Sequence, residues 1–406
     1  MTASGEAMTV DLKDPDLFAR DEAGPVLRWL RANAPVYWHG EPDGGGFWAL
    51  TRYRDIVGVY ADDQTFSSRF GMRLDSDPAA VEQVSQRMLI VSDPPDHTAL
   101  KRVFSGAFGP AEMPRFRQRV EQVVRETLRE ALTAGEIDFV DVVAKRIPNY
   151  VVCDLMGVPR QDWEWLGGVT SDAFDSDSEA DRAGAHAEIF LYFSELLAER
   201  RRNPGDDFVS KIAAASRTAG PDGGRRPLTD EEIVFNCNGV LAGANETTRY
   251  SAAGAILAFI ENPEQWQRIR ADGSEATLST AVEEVLRWTT PGVHALRTAT
   301  KDTRIAGTPI RAGDRVALWN ASANRDEEVF ERPDEFVITR SPNRHLAFGH
   351  GRHLCLGARL ARLELSVFLA ELRTQVARLE LTGRPERTPS NFTWGLRTLP
   401  VRIAAR

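Results

Sequence analysis

The sequence of 406 residues predicts a mainly α-helical fold that carries small β-sheets. Three observations predict this fold class. Apolar residues recur with helical spacing over most of the chain after Tyr53. Short strand-like runs, bounded by glycine and proline, lie towards the two ends of the sequence. Hydrophobic residues make up 42% and charged residues 27%, which is the composition of an ordinary globular protein and excludes disorder as the main state.

The strand-like runs occupy three segments, which are residues 35–52, 304–318 and 377–406. In the first segment, apolar runs at 35–38 and 47–50 flank three glycines at 44–46, a pattern typical of a hairpin. We expect the three segments to form a small β-rich subregion beside a helical remainder. The whole of 1–406 is expected to be one domain.

The helical spacing predicts five long helices, over residues 112–134, 185–202, 229–261, 275–289 and 355–375. Segment 170–181 is rich in Ser and Asp, and segment 217–227 is rich in Gly, Pro and Arg. We interpret both as flexible connections. Because neither is as long as a typical linker, they are not expected to divide the chain.

The helix predicted over 229–261 has an unusual middle. It starts at Thr229, where Thr229 and Glu232 have the spacing of a capping box. At about 1.5 Å per residue it would be about 48 Å long, enough to cross a domain. Yet it contains Gly239 and Gly243, each of which costs about 1 kcal/mol relative to alanine. This cost indicates a local distortion or close backbone approach, and a packing notch against another helix is an equal alternative.

Charge and cysteine content exclude several classes of function. The chain has 50 basic and 59 acidic residues, a net charge of −9, which argues against general binding of nucleic acid. Its three cysteines, Cys153, Cys237 and Cys355, are too scattered for a disulfide framework or a structural zinc site. The sequence shows no signal-peptide core and no apolar run of membrane-spanning length. We expect a cytoplasmic monomer without membrane contact.

The strongest chemical signal is the segment AFGHGRHLCLGARLARLE at 347–364. Gly349 and Gly351 predict a tight loop, and Cys355 follows at the start of a periodic helix. The dipole and free N–H groups of a helix start stabilise a thiolate. Such a thiolate suits a metal, and as a ligand of haem iron it favours O–O cleavage. The alternative for a single cysteine is a buried, inert side chain.

This segment resembles the haem-binding signature F-x-x-G-x-[RH]-x-C-x-G of the cytochromes P-450. The matching positions are Phe348, Gly351, His353, Cys355 and Gly357. The whole chain resembles a bacterial soluble member of that family. The resemblance implies a triangular helical domain, with haem b between the long central helix and the cysteine-bearing helix. It also implies that Cys355 is the axial ligand and that Phe348, Gly349 and Gly357 contact the haem.

A second motif, DPPDH at 93–97, resembles the D-P-P-x-H of the same family. There the histidine, here His97, and a basic residue four positions later reach a haem propionate. That later residue is usually arginine, whereas this chain has Lys101, which lacks the bidentate fork of a guanidinium. Arg297 and His353 resemble the other propionate partners. The alternative for each is an ordinary surface charge pair.

A third motif, Glu284 to Arg287, resembles the family's E-x-x-R and lies on the helix predicted over 275–289. Thr280 and Glu283 have the spacing of a capping box at its start. Taken alone, E-x-x-R is only a helical ion pair. Arg340 resembles the arginine that completes the family's network, so the resemblance implies that these groups support the cysteine loop.

The middle of the long helix, GANETT at 243–248, resembles the family's A-G-x-[DE]-T-[TS]. The resemblance implies that Gly243 and Ala244 border the oxygen-binding groove. It implies that Thr247 hydrogen-bonds dioxygen and that Glu246 helps to relay protons. Ala244 replaces the usual second glycine, which is expected to affect the rate and not the class of reaction.

The resemblance thus implies a haem-thiolate monooxygenase that uses O2 to hydroxylate or epoxidise a small organic molecule, an intermediate of secondary metabolism. Glu246 and Thr247 are equally compatible with oxidative coupling, cyclisation or desaturation, and they count against a haem-binding sensor or electron carrier. Because 51 residues follow Cys355, we expect no fused reductase. Electrons from NAD(P)H would come through a ferredoxin reductase and a ferredoxin. Arg352, Arg359 and Arg362 are candidates for the docking face, with ordinary solvated charges an equal alternative.

The resemblance also indicates where a substrate would bind, between the 69–92 loop, the 170–190 region, the long helix and residues near 291–296 and 392. The candidate lining residues are Arg69, Phe70, Met72, Leu89, Ile90, Asn238, Val293, His294 and Phe392. Among them His294 could orient a substrate, although pairing with a propionate or the backbone is the favoured alternative.

Overall fold

A computed structural model describes residues 10–42, 44–175, 178–219 and 223–406. Its helices are α1 Pro15–Ala19, α2 Ala23–Asn33, α3 Tyr53–Ala61, α4 Pro78–Val84, α5 Asp96–Ala107, α6 Met113–Ala134, α7 Arg146–Met156, α8 Trp163–Asp175, α9 Glu179–Arg202, α10 Phe208–Ala213, α11 Asp230–Glu261, α12 Pro263–Ala271, α13 Glu275–Thr289, α14 Asn320–Ala323 and α15 Ala358–Gln375. The predicted mainly helical fold class is confirmed. In the part of the chain that the structure describes, no helix is long and apolar enough to cross a membrane.

The strands are short and belong to separate small sheets. They are β1 Val36–Gly40, β2 Gly46–Leu50, β3 Phe66–Ser67, β4 Glu136–Asp138, β5 Ser216–Ala219, β6 Gly224–Pro227, β7 His294–Ala299, β8 Thr303–Ile305, β9 Thr308–Ile310, β10 Arg315–Trp319, β11 Val376–Leu381, β12 Glu386–Arg387, β13 Leu396–Thr398 and β14 Pro400–Ala405. The largest sheet has the order β1-β2-β10-β7-β3, with β2 and β10 parallel and the other pairs antiparallel. Strands β11, β14 and β4 form a second sheet. The assignment of the chain to one domain stays a prediction.

Helix α11 crosses the helical part as one uninterrupted element. Its capping box is present: Thr229 Oγ1 accepts a hydrogen bond from Glu232 N at 3.2 Å, and Glu232 Oε2 accepts one from Thr229 N at 2.9 Å. A Cβ atom at Gly239 would lie 2.7 Å from Met88 Cε, so this glycine permits close packing of the 88–91 segment. A Cβ atom at Gly243 would meet nothing within 4 Å. The first glycine is therefore a packing notch and the second borders open space.

The segment at 217–227, predicted to be a flexible loop, is a hairpin of β5 and β6 that is tied to two helices. Arg217 Nη2 lies 2.6 Å from Glu232 Oε1, and Arg217 Nη1 lies 2.5 Å from Asp96 Oδ1 in the first turn of α5. Arg226 also pairs with Glu232, at 2.6 Å. Glu232 is fully buried. The prediction was wrong because these arginines are ion-pair partners of a buried carboxylate, not solvated loop residues.

Two further predictions of local structure differ from the fold. The predicted connection at 170–181 is largely helical, since α8 continues to Asp175 and α9 begins at Glu179, with 176–177 outside the described residues. The predicted cap at Thr280 was also wrong. Helix α13 begins at the Ser274 cap, whose Oγ accepts a hydrogen bond from Thr277 N at 3.3 Å. Thr280 lies inside the helix, where its hydroxyl donates to Thr277 O at 3.1 Å.

Helices α11 and α15 pack against each other within the largest buried cluster, together with α6, α7 and α13. A smaller cluster joins the N-terminal helices to the large sheet and includes Phe18 stacked on Trp319 at a centroid distance of 5.8 Å. The loop before α15 therefore rests on a rigid helical body on one side. On the other it meets the sheet-bearing part through α3 and Tyr60.

Candidate functional site

The loop that carries Cys355 is fixed by backbone hydrogen bonds and by close packing on α3. Cys355 N donates to Phe348 O at 3.0 Å, and Gly349 N donates to Leu346 O at 2.9 Å. Gly351 has φ of +67°, and a Cβ atom there would lie 2.5 Å from the carbonyl oxygen of Tyr60. No other residue type fits that position without moving the end of α3. The loop thus presents its cysteine from a fixed backbone.

The thiol of Cys355 differs from the other two thiols of the chain. Cys153 and Cys237 are buried, and burial raises the pKa of both. Cys355 is exposed, yet burial among protein atoms also raises the pKa of its thiol, a combination expected of a group that faces an internal space. Hydrogen bonds from the N–H groups of Gly357 and Ala358 oppose that rise and favour the thiolate.

A buried ion-pair network supports the Cys355 loop. Glu284 and Arg287 are fully buried, with Arg287 Nη2 2.8 Å from Glu284 Oε1. Arg340 Nε lies 3.0 Å from Glu284 Oε2. Arg287 Nη1 also donates to Asn324 O at 2.9 Å, and the side chain of Asn324 accepts from Leu346 N at 2.6 Å. Asn324, which the sequence did not single out, therefore joins the network to the cysteine loop.

Basic groups converge beside the loop. The rings of His97 and His353 lie 4.1 Å apart. Burial, reinforced by neighbouring positive charges that include Lys101, lowers the pKa of His97 to about 4. Burial, together with Arg297 and His97, lowers the pKa of His353 to about 2. Nδ1 of His97 is buried and has no hydrogen-bond partner among the described residues. Because these basic groups lower one another's pKa, a negatively charged ligand would stabilise their protonated forms, so the cluster fits an anionic ligand.

Lys101 lies at the edge of this basic cluster and contacts the cysteine loop. Its ammonium group donates to Leu354 O at 3.1 Å and to Arg352 O. Arg297 is buried, donates to Leu296 O at 2.7 Å and lies over the ring of Tyr60. The described residues therefore fit a haem: an exposed thiol with amide donors on one side, and buried basic groups for two propionates at the margin.

Helix α11 supplies a hydroxyl and a carboxylate in adjacent positions. Thr247 Oγ1 donates to Gly243 O at 2.7 Å, one turn back. Gly243 is exposed and Ala244 half-buried, so this turn faces open space. Glu246 is buried and forms an ion pair with Arg249, which is also buried. The i, i+3 spacing of Glu246 and Arg249 was a sequence signal for this pair, although Arg249 was not singled out as a partner.

Most of the predicted substrate-lining residues lie on the 69–92 loop and on α11. Phe70 and Ile90 are exposed, and the guanidinium of Arg69 lies 4.6 Å from the ring centroid of Phe70. Leu89 N donates to the side chain of Asn236 on α11 at 2.8 Å. Asn238 is buried and hydrogen-bonds with His186 of α9. Met72 and Phe392 are half-buried, and Met88, which the sequence did not single out, packs on α11 at Gly239.

Two of the predicted lining residues have other contacts. Val293 is fully buried in the cluster of N-terminal helices and sheet. His294 Nδ1 lies 3.0 Å from Asn391 O, and Leu74 N donates to His294 Nε2 at 3.3 Å. Burial lowers the pKa of His294 to about 4. Neither side chain has surface left for a substrate, because backbone pairing, the favoured alternative for His294, occupies both nitrogens.

The three arginines considered for partner docking differ in their surroundings. Arg352 pairs with Asp63, and Arg362 Nε lies 2.6 Å from Glu283 Oε1 while its guanidinium covers the ring of Phe348. Arg359 is exposed, and its guanidinium forms no hydrogen bond or ion pair with the described residues. Two of the three therefore have structural partners of their own.

Fold and site together define a haem-thiolate class of protein, and comparison with known proteins agrees. The family model "Cytochrome P450" matches residues 172–396. Cytochrome P450 NovI of Streptomyces niveus is 38% identical over 98% of this chain and 97% of its own. Linalool 8-monooxygenase of Pseudomonas putida is 36% identical over 96% of this chain and 98% of its own.

Among solved structures, P450 OxyD, involved in the biosynthesis of vancomycin-type antibiotics, superposes with a TM-score of 0.89. It is 35% identical, and the match covers 98% of this chain and 100% of that one. The chain belongs to the cytochrome P450 family. It is a monooxygenase, an oxidoreductase that uses haem and O2 with electrons from redox partners.

Proposed function

We propose that this monooxygenase hydroxylates or epoxidises a small organic intermediate of secondary metabolism in the cytoplasm. Two observations support the proposal: the exposed, amide-supported thiol of Cys355 before α15, and the adjacent hydroxyl and carboxylate on α11, the helix that packs against α15. Two similar proteins support the substrate class, since one is a linalool 8-monooxygenase and the other is involved in antibiotic biosynthesis.

Haem b, held by Cys355 and by the basic groups His97, Arg297 and His353, would supply the oxygen activation. Lys101 contributes by fixing the loop carbonyls of Arg352 and Leu354 as well as by its charge. The protein's own contribution is then to hold the thiolate, to orient the substrate and to deliver protons.

Thr247 is suited to accept a hydrogen bond in the oxygen-binding groove. Its hydroxyl hydrogen is directed at Gly243 O, so its lone pairs remain available to water or to a protonated ligand. Glu246 stands next to it, paired with Arg249. A carboxylate in such a pair takes up a proton only when the guanidinium moves away from it or when water lies between the two groups. We therefore assign proton delivery to Glu246 and positioning of the receiving group to Thr247.

Electrons from NAD(P)H would arrive through a ferredoxin reductase and a ferredoxin that docks where the cysteine loop reaches the surface. Leu354, next to the thiol, is 48% exposed, and Arg352 and Arg359 lie beside it on the surface. An exposed apolar residue surrounded by arginines suits a small acidic electron carrier.

The test is the absorption spectrum of the reduced protein with carbon monoxide. A strongly red-shifted Soret band is expected, and Cys355→Ala should abolish it. Cys237→Ala removes a buried thiol outside the cysteine loop and serves as the matched control, which should keep the band. A band at the position of histidine-ligated haem in the unaltered protein would contradict thiolate ligation. Product formation with O2, ferredoxin, its reductase and NAD(P)H would then identify the oxidised compound.

A further inference from the structure

Tyr60, near the C-terminal end of α3, lies against the cysteine loop through both its backbone and its ring. A Cβ atom at Gly351 would lie 2.5 Å from the carbonyl oxygen of Tyr60. A Cβ atom at Gly349 would lie 3.8 Å from the hydroxyl oxygen of the same tyrosine. The two glycines of the loop therefore pack on one residue, which the sequence did not single out.

The hydroxyl group of Tyr60 is fixed by Asn320, the first residue of α14. Tyr60 Oη donates to Asn320 Oδ1 at 3.0 Å, and both side chains are buried. Asn324, at the end of the same short helix, accepts a hydrogen bond from Leu346 N at 2.6 Å. Helix α14 thus holds the cysteine loop at two points, directly through Asn324 and indirectly through Tyr60.

The guanidinium of Arg297 lies over the ring of Tyr60. The guanidinium carbon is 5.4 Å from the ring centroid, a distance at which an aromatic ring attracts a cation. The backbone of Arg297 is paired with Val316 of β10, and its Nη1 donates to Leu296 O at 2.7 Å. An aromatic face attracts a cation through its charge and needs no hydrogen bond. The ring therefore positions the guanidinium without occupying the N–H donors that an anion needs.

Tyr60 links two groups that a haem would have to meet together. The loop that packs on Tyr60 carries Cys355, and Arg297, which we assign above to a propionate, lies over its ring. A tyrosine side chain has only two rotatable bonds, and here its hydroxyl and its ring are both engaged. A binding group that is fixed before its ligand arrives avoids the entropic cost of becoming ordered on binding.

We propose that Tyr60 is a positioning residue of the haem site, which keeps Arg297 in a fixed relation to the cysteine loop and thereby sets haem affinity and the reduction potential of the iron. The proposal rests on the proposed function, because it uses the haem-binding roles assigned there to Cys355 and Arg297. A guanidinium that leaves its position stabilises the propionates less. It also favours the ferric state, since ferric haem carries one more positive charge than ferrous haem.

The first experiment changes the electron density of the ring and keeps its shape. Tyr60→Phe is the reference, and phenylalanine analogues with one, two or three fluorine atoms on the ring are then placed at position 60. Fluorine withdraws the electron density that attracts the cation. The loss of haem from the holoprotein to excess apomyoglobin is followed by Soret absorbance, and its rate should rise by about twofold to thirtyfold over the series. The reduction potential should become more negative in the same order.

The second experiment asks whether Tyr60 acts through Arg297. In a protein that also carries Arg297→Met, the rate of haem loss should no longer depend on the fluorine content of the ring at position 60. The same analogues at Tyr37, on the edge strand β1 of the same sheet, are the matched control and should leave the rate unchanged. Tyr60→Phe should itself lose haem about twofold to tenfold faster than the unaltered protein, because Asn320 loses its donor.

The remaining outcomes separate this proposal from the proposed function. A rate of haem loss and a reduction potential that do not change with fluorine content would overturn the role of Tyr60, since packing alone does not depend on the electron density of the ring. An equal dependence in the Arg297→Met series would overturn it as well, because the ring would then act on another group. An unaltered protein that binds no haem, or that shows the Soret band of histidine-ligated haem, would instead count against the proposed function.

Discussion

Replacing Glu284 by Gln is expected to lower the free energy of unfolding by about 3–5 kcal/mol. The carboxylate accepts five hydrogen bonds in the structure. Two come from Arg287, and one each comes from Arg340 Nε, Asn343 Nδ2 and Val337 N. Glutamine keeps the shape, but it loses the charge and turns two donors towards the guanidinium groups. Arg287 and Arg340, whose side chains are buried, would then lose the carboxylate that they share.

The magnitude follows from burial and not from the number of bonds. Glu284 and Arg287 have no exposed surface, so water cannot replace the lost partner. Removing one member of a buried pair costs about 3–5 kcal/mol, whereas an exposed pair contributes about 0–1 kcal/mol. Even the lower figure reduces the ratio of folded to unfolded protein by more than about a hundredfold.

Urea unfolding of the holoprotein, followed by far-UV circular dichroism and by Soret absorbance, measures the effect. The midpoint should fall without a change in slope, and haem should be lost in the same transition or earlier because Asn324 links the network to the cysteine loop. Glu275→Gln, an exposed carboxylate in the first turn of the same helix, is the control and should unfold close to the unaltered protein. A wild-type midpoint and full haem content in Glu284→Gln would refute the reasoning.

Other substitutions test separate parts of the site. Thr247→Ala should divert electrons to hydrogen peroxide, so the amount of product formed per NAD(P)H consumed should fall. Thr280→Ala, on α13, is the control and should keep the wild-type ratio. An unchanged ratio in Thr247→Ala would contradict the role proposed for Thr247. Gly351→Ala should cost about 1–3 kcal/mol from the positive φ alone, with more from contact with Tyr60, and should release haem; wild-type haem affinity would show that the loop is not constrained. Burial lowers the pKa of His294 to about 4 in the folded protein, below the unfolded value near 6.5. Its contribution to stability is therefore present above pH 6.5 and is lost as the pH falls towards 4. The free energy of unfolding should fall by about 1.4 kcal/mol per pH unit in that window. His294→Asn should flatten the stability–pH curve in that window, and an unchanged slope would be the contrary result.

Sequence patterns predicted the parts of the site whose signals are local. The Cys355 loop needs particular glycines within a few residues of each other, and Thr229 and Glu232 cap their own helix, so spacing along the chain was sufficient. Four of the five predicted helices have bounds within three residues of the observed ones for the same reason, and α13 was predicted over its observed residues, whereas α9 begins six residues before its predicted start. The capping pattern at Thr280 was misleading because Ser274, six residues earlier, caps the helix.

What the sequence did not predict depends on pairs of residues that are distant along the chain. Arg217 was assigned to a flexible connection because its partner Asp96 lies more than a hundred positions earlier. The role of Asn324 follows from contacts with backbone atoms, which leave no pattern in composition or spacing. The sequence shows that Lys101 stands where the family usually has an arginine. It does not show that this lysine donates to two carbonyl groups in the cysteine loop.

The hairpin of β5 and β6 has a consequence for engineering. The sequence between its two strands contains glycine and proline, so it looks like a convenient place to fuse a reductase or an affinity module. Its arginines, however, join the first turn of α5, which carries His97, to the first turn of α11. A module inserted within either strand would loosen two helices that flank the haem site. Fusion after the last strand, β14, would leave that connection intact.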